Sequence, residues 1–134
     1  MKFFVDNNLP PALARALHAL SAVHGHSVAH LRDAFPENTA DADWIERLSR
    51  EGGWSVVTHD KLNKGIEREA LRRAGLIVFF LDRSWSNHRF WDIACNLVRW
   101  WPRVIEQSAG VRGGAAFKVP YNFSGKGRFE QVML

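Results

Sequence analysis

Short apolar runs that each stop on an aspartate set the strongest limit on how this chain folds. Phe3-Phe4-Val5 is closed by Asp6, Trp54-Ser55-Val56-Val57-Thr58-His59 by Asp60, and the run from Leu76 to Leu81 by Asp82. Runs of this length suit strands, and the β-branched stretch at 54–58 is the clearest of them. Between them the spacing turns helical. Pro10 and Pro11 suit a first helical turn, where missing amide donors cost little, and Leu13, Ala16, Leu17 and Leu20 then mark one face. A helix with Trp44, Ile45 and Leu48 on one side follows Asp41, capped by Thr39 or Asp41 and ended by Gly52-Gly53.

The remaining elements extend the alternation. Residues 26–31 read as a second short strand, and a helix rich in Glu and Arg runs up to Gly75. From about Asn87 to Gln107 a long helix is expected, its apolar stripe formed by Phe90, Ile93, Ala94, Leu97, Val98, Trp101 and Ile105. Pro102 predicts a kink or an early stop in it. Ala115 to Val119 reads as a last strand, and the tail beyond it as irregular or edge-like. Short strands alternating with helices predict an α/β fold with a mostly parallel sheet. At 134 residues, with no repeat and no linker, the chain reads as one domain.

Hydrophobic residues at 46% and charged residues at 24% exclude a disordered chain. No apolar run approaches the ~20 residues of a membrane span, and the N-terminal run is too short for a signal peptide, so a cytoplasmic, non-membrane protein is expected. Cys95 is the only cysteine, which excludes an intrachain disulfide and a thiolate-rich zinc site; its apolar helical setting predicts a buried thiol. The net charge is +4, and from Arg99 onward six basic residues (Arg99, Arg103, Arg112, Lys118, Lys126, Arg128) face two acidic ones (Glu106, Glu130). Such asymmetry suits a polyanion or an acidic partner.

Parallel strands share one C-terminal edge, so Asp6, the Asp41/Asp43 pair and Asp60 can meet there although they are remote in the chain. Crowded carboxylates repel one another unless a divalent cation neutralises them, which points to magnesium or manganese and phosphodiester chemistry. Strand alternation sends Thr58 and Asp60 to one side and His59 to the other, so Thr58 can orient a carboxylate or a water. Asp41 and Asp43 are two apart and do not share a helical face; one is expected to point into the site, Asp41 first. Helix capping is the rival role for Asp6, Asp41 and Asp43. Asp82 is a further acid at a strand end, with a plain turn as its rival. His24, His26 and His30 form a loose nitrogen cluster whose ordinary reading is solvated surface. Trp91, Trp100 and Trp101 read as either core or partner-facing; the last two are adjacent, so at least one is expected to leave the buried stripe, which points to an interface.

In these residues the chain resembles PIN-like domains, especially the short PIN-like proteins related to VapC-type toxins of bacterial toxin–antitoxin modules. The resemblance rests on residues 2–10 (Lys2-Phe3-Phe4-Val5-Asp6-Asn7-Asn8-Leu9-Pro10), on Thr39-Ala40-Asp41-Ala42-Asp43-Trp44-Ile45, and on Val57-Thr58-His59-Asp60. Glu67-Arg68-Glu69-Ala70-Leu71 and Gly75 to Leu81 add to it, and together the parts cover roughly residues 1–105, with a C-terminal strand and tail at 111–134. It implies a three-layer α/β/α fold with a central, mostly parallel sheet of four to five strands. It also implies an endoribonuclease using Mg2+ or Mn2+, with Asp6, Asp41 and Asp60 as acidic ligands, Asp43 as a fourth, and Thr58 as the hydroxyl before the last acid. Lys61, Lys64, Arg68 or the C-terminal basic group would hold the RNA backbone. A cognate antitoxin protein and a homodimer are implied as partners. PIN ribonucleases usually carry a further Glu after the first helices; here Glu37 and Asp33 are the nearest acids and neither is a clear counterpart.

Two other classes fit part of the pattern. A receiver-like or haloacid-type phosphotransfer domain also gathers acids around magnesium. The first wants an acidic pair at its first strand, where Asp6 is followed by Asn7; the second wants an aspartate where Asn8 stands. A catalytically silent PIN-like module that only pairs with a protein is the other, favoured by the tryptophans and the missing Glu.

Overall fold

The apolar runs form strands because β-branched and aromatic side chains pack well on a pleated surface covered on both sides. The structure, a computed structural model, describes residues 1–59 and 65–133, and only the backbone of 65–68. Its strands are β1 (Lys2–Val5), β2 (Ser27–His30), β3 (Trp54–Thr58), β4 (Ile77–Leu81), β5 (Ala116–Val119) and β6 (Glu130–Val132). They join in one sheet of order β2-β1-β3-β4-β5-β6. The first five are parallel, and β6 runs antiparallel to β5. The sheet is mostly parallel as expected, but among the described residues it has six strands rather than four to five. Glu130-Gln131-Val132 carries no apolar run, so nothing local marks it; it is placed by the preceding tail, where Phe123 and Phe129 pack against Trp100.

Among the described residues four helices cover the sheet. Helices α1 (Pro11–Ser21) and α5 (Phe90–Gly110) lie on one face; α3 (Asp41–Glu51) and α4 (Gly65–Ala74) lie on the other. A short α2 (Leu31–Ala34) follows β2. Strand alternation divides the core cleanly. Phe3 and Val5 join the α1/α5 side, where Phe3 meets Trp101 with ring centroids 5.0 Å apart, and Phe4 joins the α3 side, stacked 5.0 Å from Trp44. Each such fully buried aromatic contributes about 1.5–3 kcal/mol in area removed from water. Among the described residues no helix is long and apolar enough to cross a membrane.

Several local expectations are corrected. The buried line of α1 is Leu13, Ala14, Leu17 and Ser21, which leaves Ala16 and Leu20 exposed, because the helix is rotated to bring Ser21 under α5. Trp100 and Trp101 are both buried, since α5 is covered on two sides. Trp101 faces the sheet and donates its indole N–H to Ser21 Oγ (2.8 Å); Trp100 is closed over by the tail and donates to the Tyr121 carbonyl (3.3 Å). Helix α5 runs through Pro102 and ends at Gly110. The carbonyl deprived of a partner by Pro102 belongs to Val98, on the solvent side of the helix, where water can take the place of the missing amide. Cys95 is exposed rather than buried, one position off the stripe that faces the core.

Candidate active site

The chain passes from β1 to β2 on one side of the sheet, then crosses back to β3 on the other. The connections therefore diverge above β1 and β3, and ligands of open parallel sheets lie in the crevice that such a reversal leaves at the C-terminal edge. Asp6 and Thr58 stand at this place. Val5 is in register with Val57, and the Asp6 amide donates to the Val57 carbonyl (3.1 Å), which carries the ladder one residue further. Thr58 Oγ1 donates to Asp6 Oδ2 (2.9 Å), and the Asn7 amide donates to Asp6 Oδ1 (2.6 Å). Asp6 is 4% exposed and Thr58 fully buried, so these bonds fix the carboxylate in a place where an unpartnered charge would be costly.

The turn after Asp6 is braced from three directions. Arg32 donates from Nε to Asn7 Oδ1 (2.5 Å) and from Nη2 to the Asn7 carbonyl (3.2 Å). The His59 amide donates to Asn8 Oδ1 (3.2 Å). His30 accepts the Arg32 amide on Nδ1 (3.0 Å), so Nε2 carries the hydrogen and donates to the Leu9 carbonyl (2.5 Å). Asn7, Asn8, His30 and Arg32 are thus the supports of the site, a part that their sequence setting does not predict. The polar doublet directly after a strand-ending Asp was the only local signal. His30 is buried rather than solvated, and β2 separates it from His24 and His26 at the opposite edge, so the three cannot form a metal cluster.

Asp41 reaches the same edge from the α3 side. Helix α3 leads directly into β3, so it runs antiparallel to the strands and opens at their C-terminal ends. Its Trp44 stacks on Phe4 and donates its indole N–H to Asp41 Oδ1 (3.0 Å). Phe4 and Asp6 share one face of β1; Asp41 lies about one turn beyond Trp44 in the direction in which Asp6 lies beyond Phe4. Asp41 is half-buried, and its Oδ2 has no hydrogen-bond donor among the described residues. The capping expected of Thr39 or Asp41 is not found: Ala40 occupies the cap position, and the Thr39 hydroxyl donates to the Pro36 carbonyl (2.6 Å).

The other acids are placed less centrally. Asp43 is exposed on the first turn of α3. Asp82 Oδ1 accepts the Ser84 amide (2.8 Å) and hydroxyl, the turn role rather than the site role. Glu37 is exposed, and Asp33 is engaged by two hydrogen bonds from Arg15 (2.7 and 3.1 Å). The hydrogen bond from Arg15, ahead of its charge, holds the Asp33 carboxyl below the usual aspartate value. Asp60, Lys61 and Lys64 lie outside the described residues, as does the side chain of Arg68. Among the described residues no three His, Cys, Asp or Glu side chains come together as a metal-holding group. Asp6 and Asp41 bring only carboxylate oxygens to the crevice, a donor set that fits a hard divalent cation rather than zinc or copper.

Comparison with known proteins agrees with this topology. Residues 1–83 match the family model described as a PIN-like domain, a span that includes β1 to β4 and leaves α5, β5 and β6 beyond it. Neither the curated proteins nor the solved structures offer a match. The matched span is more than half of the 134 residues, and it contains Asp6, Asp41, Thr58 and Asp60. The chain belongs to the PIN-like domain family.

Proposed function

We propose that the protein is a metal-dependent endoribonuclease of the kind found as the toxin in type II toxin–antitoxin modules. PIN-like domains have a nuclease-type fold, and the observation that carries the reading is the position of Asp6. It is a buried carboxylate, held by Thr58 and Asn7, at the β1/β3 crevice, with Asp41 on the same face. On this reading Asp6, Asp41 and Asp60 hold Mg2+ or Mn2+, with Asp43 beside them; Asp60 is assigned on its sequence position alone. The bound cation would lower the pKa of a water and offset charge on the scissile phosphate. Thr58 keeps the Asp6 oxygens in one orientation, and the braced Asp6–Leu9 turn holds them there without reorganisation during reaction. Lys61, Lys64 and Arg68 are assigned to the RNA backbone, and a cognate antitoxin and a second copy of the chain to its protein contacts.

Purified protein is expected to cleave RNA only with Mg2+ or Mn2+ present, and Asp6→Asn or Asp60→Asn to abolish cleavage while the fold is retained. Cleavage that survives both substitutions would show the assigned site to be wrong. Expression of the wild-type chain alone is expected to arrest growth, and Asp6→Asn to relieve the arrest.

A silent protein-binding module is the second reading, favoured by the two acids nearest the place of the further Glu: Glu37 is exposed and Asp33 is engaged by Arg15. The phosphotransfer reading loses ground, although its receiver form shares the strand order. Asn7 and Asn8, at the positions where it wants acids, hold Arg32 and His59 in place.

A further inference from the structure

Two large aromatic rings stand in solvent at the edge of the sheet on which the crevice opens. Trp91 is 75% exposed and Phe90 41% exposed, with ring centroids 5.6 Å apart at 73°. They occupy the first turn of α5, which opens just past the C-terminal end of β4 and therefore at the same edge as Asp6. The segment leading to them is tied to the site: Ser86 Oγ lies 3.5 Å from Nε2 of His59, the residue that follows Thr58. It is also held in shape. His88 stacks flat on Tyr121 at 3.7 Å, Tyr121 packs edge-on against buried Trp85, and the Tyr121 hydroxyl donates to the Asp92 carbonyl (3.3 Å).

We propose that Trp91, with Phe90 beside it, is a stacking platform for an unpaired base of single-stranded RNA whose backbone crosses the β1/β3 crevice. The inference rests on the nuclease reading and deepens it, since it names the form of RNA that the site takes. Arg83 and Arg89, exposed in the segment that leads to the rings, suit phosphates; the acids nearest in sequence are Asp92, one position past Trp91, and Asp82, which is turned into Ser84. Alternating rings and guanidinium groups over a rigid support are what single-strand binding uses, because every base offers a stacking face. The exposed polar segment Ser86 to Arg89 that leads to the rings favours RNA; the helix face that runs on from Trp91 through exposed Cys95 and Val98 is what a protein partner would use instead, an outcome the test separates.

The test is binding of a labelled mixed-sequence oligoribonucleotide by fluorescence anisotropy, with chelator present so that cleavage plays no part. Trp91→Ala is expected to weaken binding about tenfold or more, and Trp91→Phe to restore most of the loss. An abasic oligonucleotide of the same length is expected to bind the wild type and Trp91→Ala alike, since it offers no base to stack. Equal affinity of the two proteins for the base-bearing strand would overturn the proposal. An equal loss for the abasic strand would do the same, as would a change of oligomeric state with RNA binding intact. If Asp6-dependent cleavage is found but Trp91→Ala binds normally, the platform alone fails. Trp91-dependent binding without any cleavage in Mg2+ would leave the platform standing and remove the nuclease.

Discussion

Thr58 donates its only hydroxyl hydrogen to Asp6, from a position closed to water. Thr58→Val keeps the shape and removes the donor, so a buried carboxylate oxygen loses a partner at a cost of about 1–3 kcal/mol. Urea unfolding is expected to show this loss, and the RNA-cleavage rate to fall with it; Thr58→Ser is expected to restore much of both. That Thr58 can orient a carboxylate was legible from strand alternation; that the carboxylate is the one on Asp6 depends on the register of β1 with β3. Asn7, Asn8 and Arg32 were not legible as supports. Their bonds reach across 25 and 51 residues of chain, and no periodicity within one segment carries that information. His30 was misread for a related reason: a histidine in a short strand looks solvated until the turn that covers it is in place.

Among the elements, the α1–α2 and β4–β5 junctions show how neighbours are tied. Arg15 on α1 reaches Asp33 on α2, and their hydrogen bond lowers the Asp33 carboxyl below its ordinary value. A carboxyl lowered by folding adds stability that is present above the ordinary aspartate range and is lost as the pH falls through the lowered value. Arg15→Ala is therefore expected to be slightly less stable than wild type at neutral pH and equal to it in strong acid. The pair is exposed, so the difference should shrink with salt. At the second junction a Cβ on Gly113 would lie 1.8 Å from the Gly75 carbonyl oxygen, while the Gly114 amide donates to the Leu76 carbonyl. Backbone cannot give way there as a flexible side chain can, so Gly113→Ala is expected to cost about 1–3 kcal/mol, read as a lowered Tm. The principal elements could be read from spacing alone. The exact face of α1, the burial of both Trp100 and Trp101, and the passage of α5 through Pro102 could not. Each depends on what covers the helix from outside, and the cover comes from the tail and from α5 itself.

At the scale of the whole molecule, strand order is what turns scattered aspartates into a site. The sequence shows that strands end on acids, but any parallel order would satisfy that pattern. Only β2-β1-β3 puts the reversal of direction between Asp6 and Thr58 and brings α3 down with Asp41 over the face that holds Phe4. The sixth strand stayed hidden because three residues, two of them polar, gain a place in a sheet only when the fold around them exists. The claim on which the proposed chemistry depends is that a divalent cation binds at the β1/β3 edge beside Asp6, and a Mn2+-soaked crystal measures it by anomalous scattering. A peak about 2 Å from an Asp6 carboxylate oxygen, absent in Asp6→Asn, is the expected result. Manganese found only on acids remote from the β1/β3 edge, or no peak at saturating Mn2+, would contradict it.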